Sequence, residues 1–295
     1  MSLTISVITP SFNQGRFIEA TILSVLKQNI PLLDYVVVDG GSTDNTLTVL
    51  QHYRHRLRYV SEPDNGQTHA INKGLAMTQG DIIGWVNSDD IYYPGTIETI
   101  LDYFNKHPDA DVVYGNANMI DAKDELIAPF PVIDWNFKQL KETCFIAQPA
   151  LFFRRSVVER FGLLNEKLHF CMDYEYWIRL AKGGAHFAYI NQLFAGARIY
   201  PETKTASAPL QAQAEILPML KHHLGYVPAR WLLRHAYCIV RREKNMSLFD
   251  PRFVPYVMFT AVSLAFKWNP NSVISTFLQY PNAGLEIMKE RTKKP

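Results

Sequence analysis

Apolar positions in the first hundred residues fall into two alternating periods. Short continuous runs at Thr4–Thr9, Tyr35–Asp39, Leu57–Val60 and Asp81–Val86 predict buried strands. Between them, Ile18, Ile22, Val25 and Leu26 recur at helical spacing, and residues 46–53 and 67–77 predict two further helices. Pro10–Gly15, Gly40-Gly41-Ser42-Thr43-Asp44 and Ser61–Gly66 carry the turn residues that separate strand from helix. Repeated β-α units of this kind predict an α/β fold with a parallel, doubly wound sheet.

The pattern loosens after about residue 110. Asp111–Gly115 reads as one more strand, and residues 129–137, with Pro129 and Pro131, as a loop beside the site. Phe152–Phe161 and Tyr174–Ala181 read as helices. From residue 209 onward the signal is helical and aromatic-rich, broken at prolines. The expected organisation is an α/β domain over residues 1–205 and a helical, basic, aromatic-rich region over 206–295.

Charge sharpens this division. Of the chain's 295 residues, 206–295 hold 12 Lys/Arg against 5 Asp/Glu, leaving 18 against 23 in the rest. A basic tail can meet nucleic acid, an anionic membrane or an acidic partner. This tail interleaves Trp231, Leu232, Leu233, Tyr237, Phe253, Tyr256 and Phe259 with Arg234, Arg241, Arg242 and Arg252. That mixture fits packing on the catalytic domain or docking at a membrane interface rather than nucleic acid. The longest apolar run, Phe253–Phe266, contains Pro255 and falls short of the roughly 20 residues a bilayer span needs. The first residues lack the basic start of a signal peptide and read as a strand. Cys144, Cys171 and Cys238 have no metal or redox spacing and are expected to be reduced and buried. Together these features imply a cytoplasmic protein, peripheral on the inner face of the cytoplasmic membrane if the tail docks.

The chemistry gathers at strand ends. Thr9-Pro10-Ser11 closes the first strand, Asp39 the second, and Asn87-Ser88-Asp89-Asp90 the fourth. Carboxyl ends of parallel strands form the ligand crevice of such sheets. Adjacent Asp89 and Asp90 repel one another, which a divalent cation held against a nucleotide diphosphate would offset. No G-x-G-x-x-G follows the first strand and no P-loop is present, which argues against a dinucleotide dehydrogenase or a P-loop NTPase.

At these positions the chain resembles glycosyltransferase family 2. The resemblance rests on Thr4–Asn13, Val37–Asp44, Glu62–Gly66 with Asn72-Lys73-Gly74, and Asn87–Asp90. It continues through Gln148–Arg155 with Gly162–Glu166, and Asp173–Leu180, so it covers roughly residues 3–205. It implies a GT-A fold and inverting transfer of one sugar from a nucleotide-sugar, by default a UDP-sugar, with Mg²⁺ or Mn²⁺. The acceptor implied is a glycan or lipid-linked hydroxyl of bacterial surface polysaccharide or glycolipid.

The resemblance also assigns roles. Thr9, Pro10 and Ser11 would line the nucleobase pocket, and Asp39 would accept a hydrogen bond from the base. Asp89 would be the metal ligand, with Asp90 facing the donor sugar or the metal's outer shell. Asn87 replaces an acid of the family's D-x-D. Asn65, Gln67, Asn72 and Ser88 join the donor-binding positions, and Arg198 would reach the diphosphate from a flexible loop before Pro201. Asp173 would be the general base that takes the acceptor's proton, with Met172 where the family usually has an acid. Gln148 and Trp177 are acceptor candidates, although Tyr174 and Trp177 also fit a core-facing helix stripe. Val227-Pro228-Ala229-Arg230-Trp231 keeps only the Arg-Trp of the Q-x-x-R-W found in processive members, so single additions are expected. Two other readings stay open: a nucleotidyltransferase, and a non-catalytic nucleotide-sugar-binding protein.

Overall fold

The structure, a computed structural model, describes residues 3–31 and 33–278. It divides into two compact units. The first takes in residues up to Asn136 and Phe145–Thr203; the second takes in Phe137–Cys144 and the chain from Lys204 onward.

The first unit is built on one sheet. Its strands are β1 (Ile5–Ser11), β2 (Asp34–Asp39), β3 (Arg58–Ser61), β4 (Ile82–Trp85), β5 (Ile91–Tyr92), β6 (Val112–Ile120), β7 (Leu126–Pro129), β8 (Leu151–Arg154) and β9 (Phe187–Arg198). They lie in the order β3-β2-β1-β4-β8-β6-β9-β5, with β7 beside β6. The pairs β1–β2, β2–β3, β1–β4 and β6–β9 are parallel, while β8 runs antiparallel to both β4 and β6. The helices of this unit are α1 (Ile18–Leu26), α2 (Thr46–Tyr53), α3 (Gln67–Met77), α4 (Thr96–Lys106), α6 (Arg155–Phe161) and α7 (Met172–Lys182). Helix α5 (Phe137–Glu142) belongs to the second unit, with α8 (Lys204–Ser207), α9 (Pro209–Leu224), α10 (Ala229–Cys238), α11 (Phe253–Trp268) and α12 (Val273–Leu278).

The continuous apolar runs became strands because both sheet faces are covered. Every residue of β1 and β4 is buried, and Ile18, Ile22, Val25 and Leu26 of α1 join the same core as Val7, Val37 and Ile82. Such two-sided burial leaves no place for alternating polar residues. Register then aligns the strand ends: Ser11 stands opposite Asp39, and Asp39 opposite Ser61. The sharp turn after β2 needs Gly41, whose φ of +82° lies in the left-handed region. Gly84 is required for a different reason, since a Cβ there would lie 2.8 Å from the ring of Phe152 on the neighbouring strand.

The structure corrects the later part of the sequence reading. Phe152 and Phe153 lie in β8, not in a helix, and helix α6 begins at Arg155. Strand β6 extends to Ile120, well past Gly115, and the twelve-residue β9 had no counterpart in the sequence reading. Cys171 is buried, but Cys144 and Cys238 are only partly so. No helix among the described residues is long and apolar enough to cross a membrane.

Candidate active site

Asp89 and Asp90 follow β4 in a tight turn closed by the Asp90 amide donating to the Asn87 carbonyl. The two carboxylates have different surroundings. Asp90 is 6% exposed. Its Oδ1 accepts the Arg198 backbone N–H at 2.8 Å, and its Oδ2 accepts the Asn87 side-chain amide at 3.1 Å. Burial, and then the charge of Asp89, push its pKa up to about 8. Asp89 is less enclosed, and its Oδ2 accepts the Tyr200 hydroxyl at 2.9 Å. Burial raises its pKa as well, opposed chiefly by that Tyr200 bond.

Asn87 is the junction between these acids and the rest of the strand end. Its Oδ1 accepts from Gln67 Nε2 at 2.7 Å and Trp85 Nε1 at 3.0 Å. Its Nδ2 donates to Asp90 Oδ2 and, at 2.9 Å, to Gln148 Oε1. An aspartate could not make the two donations, since a carboxylate only accepts. Four bonds in two directions account for an amide where the family pattern has an acid.

At the end of β2, Asp39 is 1% exposed. Its carboxylate accepts the Gly41 and Ser42 amides at 3.2 and 2.9 Å, the Ser42 hydroxyl at 2.5 Å and the Ser61 hydroxyl at 2.6 Å. These bonds fix the turn after β2. Beside it on β1, Thr9 is fully buried and its hydroxyl pairs with that of Tyr35 at 3.2 Å. Pro10 is buried. The Ser11 hydroxyl is buried and meets no hydrogen-bond partner among the described residues. A buried hydroxyl without a partner is costly, and a bound ligand would remove that cost.

Asp173 occupies the first turn of α7, and its Oδ1 accepts the Tyr174 N–H at 2.7 Å. The helix N-terminus offers its amide dipoles to that carboxylate. The segment leading into α7 is fastened along α3: Thr68 Oγ1 donates to the Leu168 carbonyl at 2.8 Å, next in sequence to Gln67, which bonds Asn87. Gly66, at φ +106°, stands close to His169 in the same stretch. The segment just before Asp173 is thereby fastened to α3, whose Gln67 bonds Asn87 at the end of β4.

Several expected ligand residues hold other positions. Asn72 donates to the Leu164 carbonyl at 3.0 Å and to Glu166 at 2.9 Å, and accepts the Leu164 amide at 3.1 Å, so its amide pins the loop after α6 instead of facing a donor. Gln148 bonds Asn87 and the Trp85 carbonyl and supports the junction instead of an acceptor. Trp177 is fully buried and packs on Tyr176 in the core, which excludes a sugar platform. Arg198 ends β9 and is not on a loop. Its guanidinium donates to the Asp89 carbonyl at 2.7 Å, to the Asp121 carbonyl at 3.2 Å and to the Asp124 carboxylate, and lies over Phe17. Asn65 is exposed in its turn and Ser88 is buried. The Arg-Trp pair after Val227 lies in the second unit, where Trp231 is buried and donates to the Lys141 carbonyl.

The sequence reading missed Tyr200 and Trp85. Tyr200 lies 111 positions from Asp89. It packs on Phe17 at 4.9 Å, and burial, with Asp89, pushes its pKa up to about 12, so it remains a donor.

The donor set suits a hard cation that also binds phosphate. Among the described residues no three His, Cys, Asp or Glu side chains gather as a complete metal cage. Mg²⁺-type ions, however, take one or two carboxylates and complete their shell with phosphate oxygens and water. Asp89 offers a carboxylate whose charge burial disfavours, backed by Asp90, and a cation there would reverse that effect.

The mostly parallel sheet and its strand-end acids define a GT-A-type glycosyltransferase. The chain belongs to glycosyl transferase family 2, whose model matches residues 6–162. It is 31% identical over 191 residues to an uncharacterized glycosyltransferase of Rickettsia conorii, a match covering 60% of this chain and 31% of that protein. It is 30% identical over 217 residues to a chondroitin synthase of Escherichia coli, covering 72% of this chain and 31% of that one. The chain thus spans about a third of the length of these relatives. Its fold is similar to that of S. aureus TarS 1-349 in complex with UDP-GlcNAc, with a TM-score of 0.65 and 18% identity over 98% of this chain and 90% of that one. A mannosyltransferase from Pyrobaculum calidifontis in complex with GDP-Man and Mn²⁺ aligns with a TM-score of 0.60 and 16% identity, over 99% of this chain and 84% of that one.

Proposed function

We propose that this chain moves one sugar from a nucleotide-diphosphate sugar to a hydroxyl of a glycan or lipid-linked acceptor, with inversion and with Mg²⁺ or Mn²⁺. The observation that carries the reading is the Asp89–Asp90 pair at the carboxyl end of β4, both acids raised in pKa by burial, in the row that also holds Asp39 and Ser11. Two proteins of similar fold have been solved with nucleotide-sugars, one of them with Mn²⁺. A UDP-sugar is the donor we favour, and bacterial surface polysaccharide or glycolipid the product.

Each residue has a distinct part. Ser11 and the Asp39 turn receive the nucleoside. Asp89 holds the cation, which when bound neutralises charge on the leaving diphosphate. Asp90 and Asn87 keep Asp89 in place. Arg198 fixes the Asp89 backbone from behind. Asp173 takes the proton of the acceptor hydroxyl as it attacks, a role that typically contributes about 10²–10⁴ in rate. Val227 stands where processive members carry Gln, and Trp231 is buried and bonded to the Lys141 carbonyl, which supports a single addition over a polymer.

A thermal-shift series of nucleotide diphosphates and nucleotide-sugars, each with and without Mn²⁺, tests the donor half of this reading. A matching donor raises the melting temperature only when Mn²⁺ is present. If no nucleotide-sugar shifts it under any condition, the donor assignment fails.

A further inference from the structure

Helix α11 of the second unit has two unlike faces. Phe253, Val257, Ala261 and Ala265 recur every four residues and are fully buried, the first three in one cluster with Leu233, Ala236 and Val240. On the other side Tyr256, Phe259 and Phe266, three and seven residues apart, share one face and are 41%, 72% and 63% exposed. Phe249, just before the helix, is 83% exposed, and Ile274 and Leu278 of α12 are 78% and 73% exposed. Residues 249–278 thus hold six of the thirteen exposed large hydrophobic side chains among the described residues. Single exposed apolar residues are ordinary, but such a concentration marks an interaction surface.

The charges around it name the partner. Between residues 239 and 278 the cations Arg241, Arg242, Lys244, Arg252 and Lys267 are all exposed. Only Glu243 and Asp250 oppose them, and Asp250 already pairs with Arg252. The Lys244 ammonium lies 5.6 Å from the Tyr256 ring, and that of Lys267 lies 5.5 Å from the Trp268 ring. Aromatic rings bordered by long basic side chains match the boundary between acyl chains and charged headgroups.

We propose that this face docks on an anionic lipid surface, with α11 lying in the plane of the interface. A second copy of the chain is a poor occupant, because a two-fold contact would set like basic rims against each other. Anionic headgroups complement the rim, and the acyl boundary takes Phe259 and Phe266.

Flotation of the full chain tests this. Vesicles of phosphatidylcholine alone are compared with vesicles of equal parts phosphatidylcholine and phosphatidylglycerol, at low and high salt. The wild type is expected to float with the anionic vesicles only, and less at high salt. The double variants Phe259→Ser/Phe266→Ser and Arg241→Glu/Arg242→Glu change exposed positions, and their folding is checked by melting temperature. Each is expected to weaken vesicle binding about tenfold or more. Wild-type protein that stays with neither vesicle at low salt overturns the proposal, as do folded double variants that float like the wild type. It is equally overturned if sedimentation shows a dimer that Phe259→Ser/Phe266→Ser splits while flotation is unchanged.

Discussion

The hydroxyl of Tyr200 donates a 2.9 Å hydrogen bond to Oδ2 of Asp89, and Gln14 Nε2 donates to the same hydroxyl at 3.4 Å. The carboxylate assigned to the cation is therefore held by a tyrosine that follows β9. A cation using that oxygen competes with the phenol for its charge. Tyr200→Phe removes the competing bond and is expected to tighten Mn²⁺ binding about tenfold, since bonds to a charged group contribute about 1.5–3 kcal/mol. Titration of free Mn²⁺ by electron paramagnetic resonance measures it. Unchanged or weaker affinity would show that Tyr200 does not compete with the cation.

Asn87→Asp tests the four-way junction. The carboxylate keeps the bonds from Gln67 and Trp85, loses the donations to Asp90 and Gln148, and adds a charge beside Asp90. A stability loss of about 2 kcal/mol is expected in urea denaturation, larger at pH 8 than at pH 5. A midpoint equal to the wild type at both pH values would refute the junction.

Asp90 predicts how the ligand-free protein responds to pH. Its folded pKa of about 8 stands above the ordinary 3.8, so the folded state binds more protons between those values. Stability should then fall as pH rises from about 4 to 8 and level off above. Asp90→Asn should flatten that part of the curve in calorimetry. A variant that retains the full slope would assign it to other groups.

Trp177 separates core from site. Trp177→Ala is expected to cost about 3–5 kcal/mol of stability. The milder Trp177→Phe should fold with the acceptor KM unchanged. A raised KM in a stable Trp177→Phe variant would return the residue to the acceptor site.

Much of this could be read in the sequence where the signal is local. Strands β1, β2 and β4 are continuous apolar runs, and α3 begins and ends at the residues its pattern indicates. Strand β8 looks like the start of a helix in the sequence because four apolar-rich residues running straight into α6 carry no period of their own. Strand β9 gives no clear local signal because its first half, Phe187–Leu193, is not fully buried and includes Asn191 and Gln192. In the site, the Asn87–Asp90 run announces itself, since its chemistry is contiguous. The reach of Tyr200 to Asp89, and of Asn72 to the loop 94 positions on, is set by sheet order, which local spacing does not encode. Arg198 looks like a loop residue in the sequence for the same reason, since the strand it ends carries no local signal.

The most direct test of the account compares Asp89→Ala and Asp173→Asn in one assay. Nucleotide-sugar binding with Mn²⁺ and sugar transfer to an acceptor are measured side by side. Asp89→Ala is expected to lose the Mn²⁺-dependent part of donor binding and transfer together. Asp173→Asn should bind donor as the wild type does while transfer falls about 10²–10⁴-fold. Near wild-type turnover by Asp173→Asn, or Mn²⁺-dependent donor binding that survives Asp89→Ala, would contradict it.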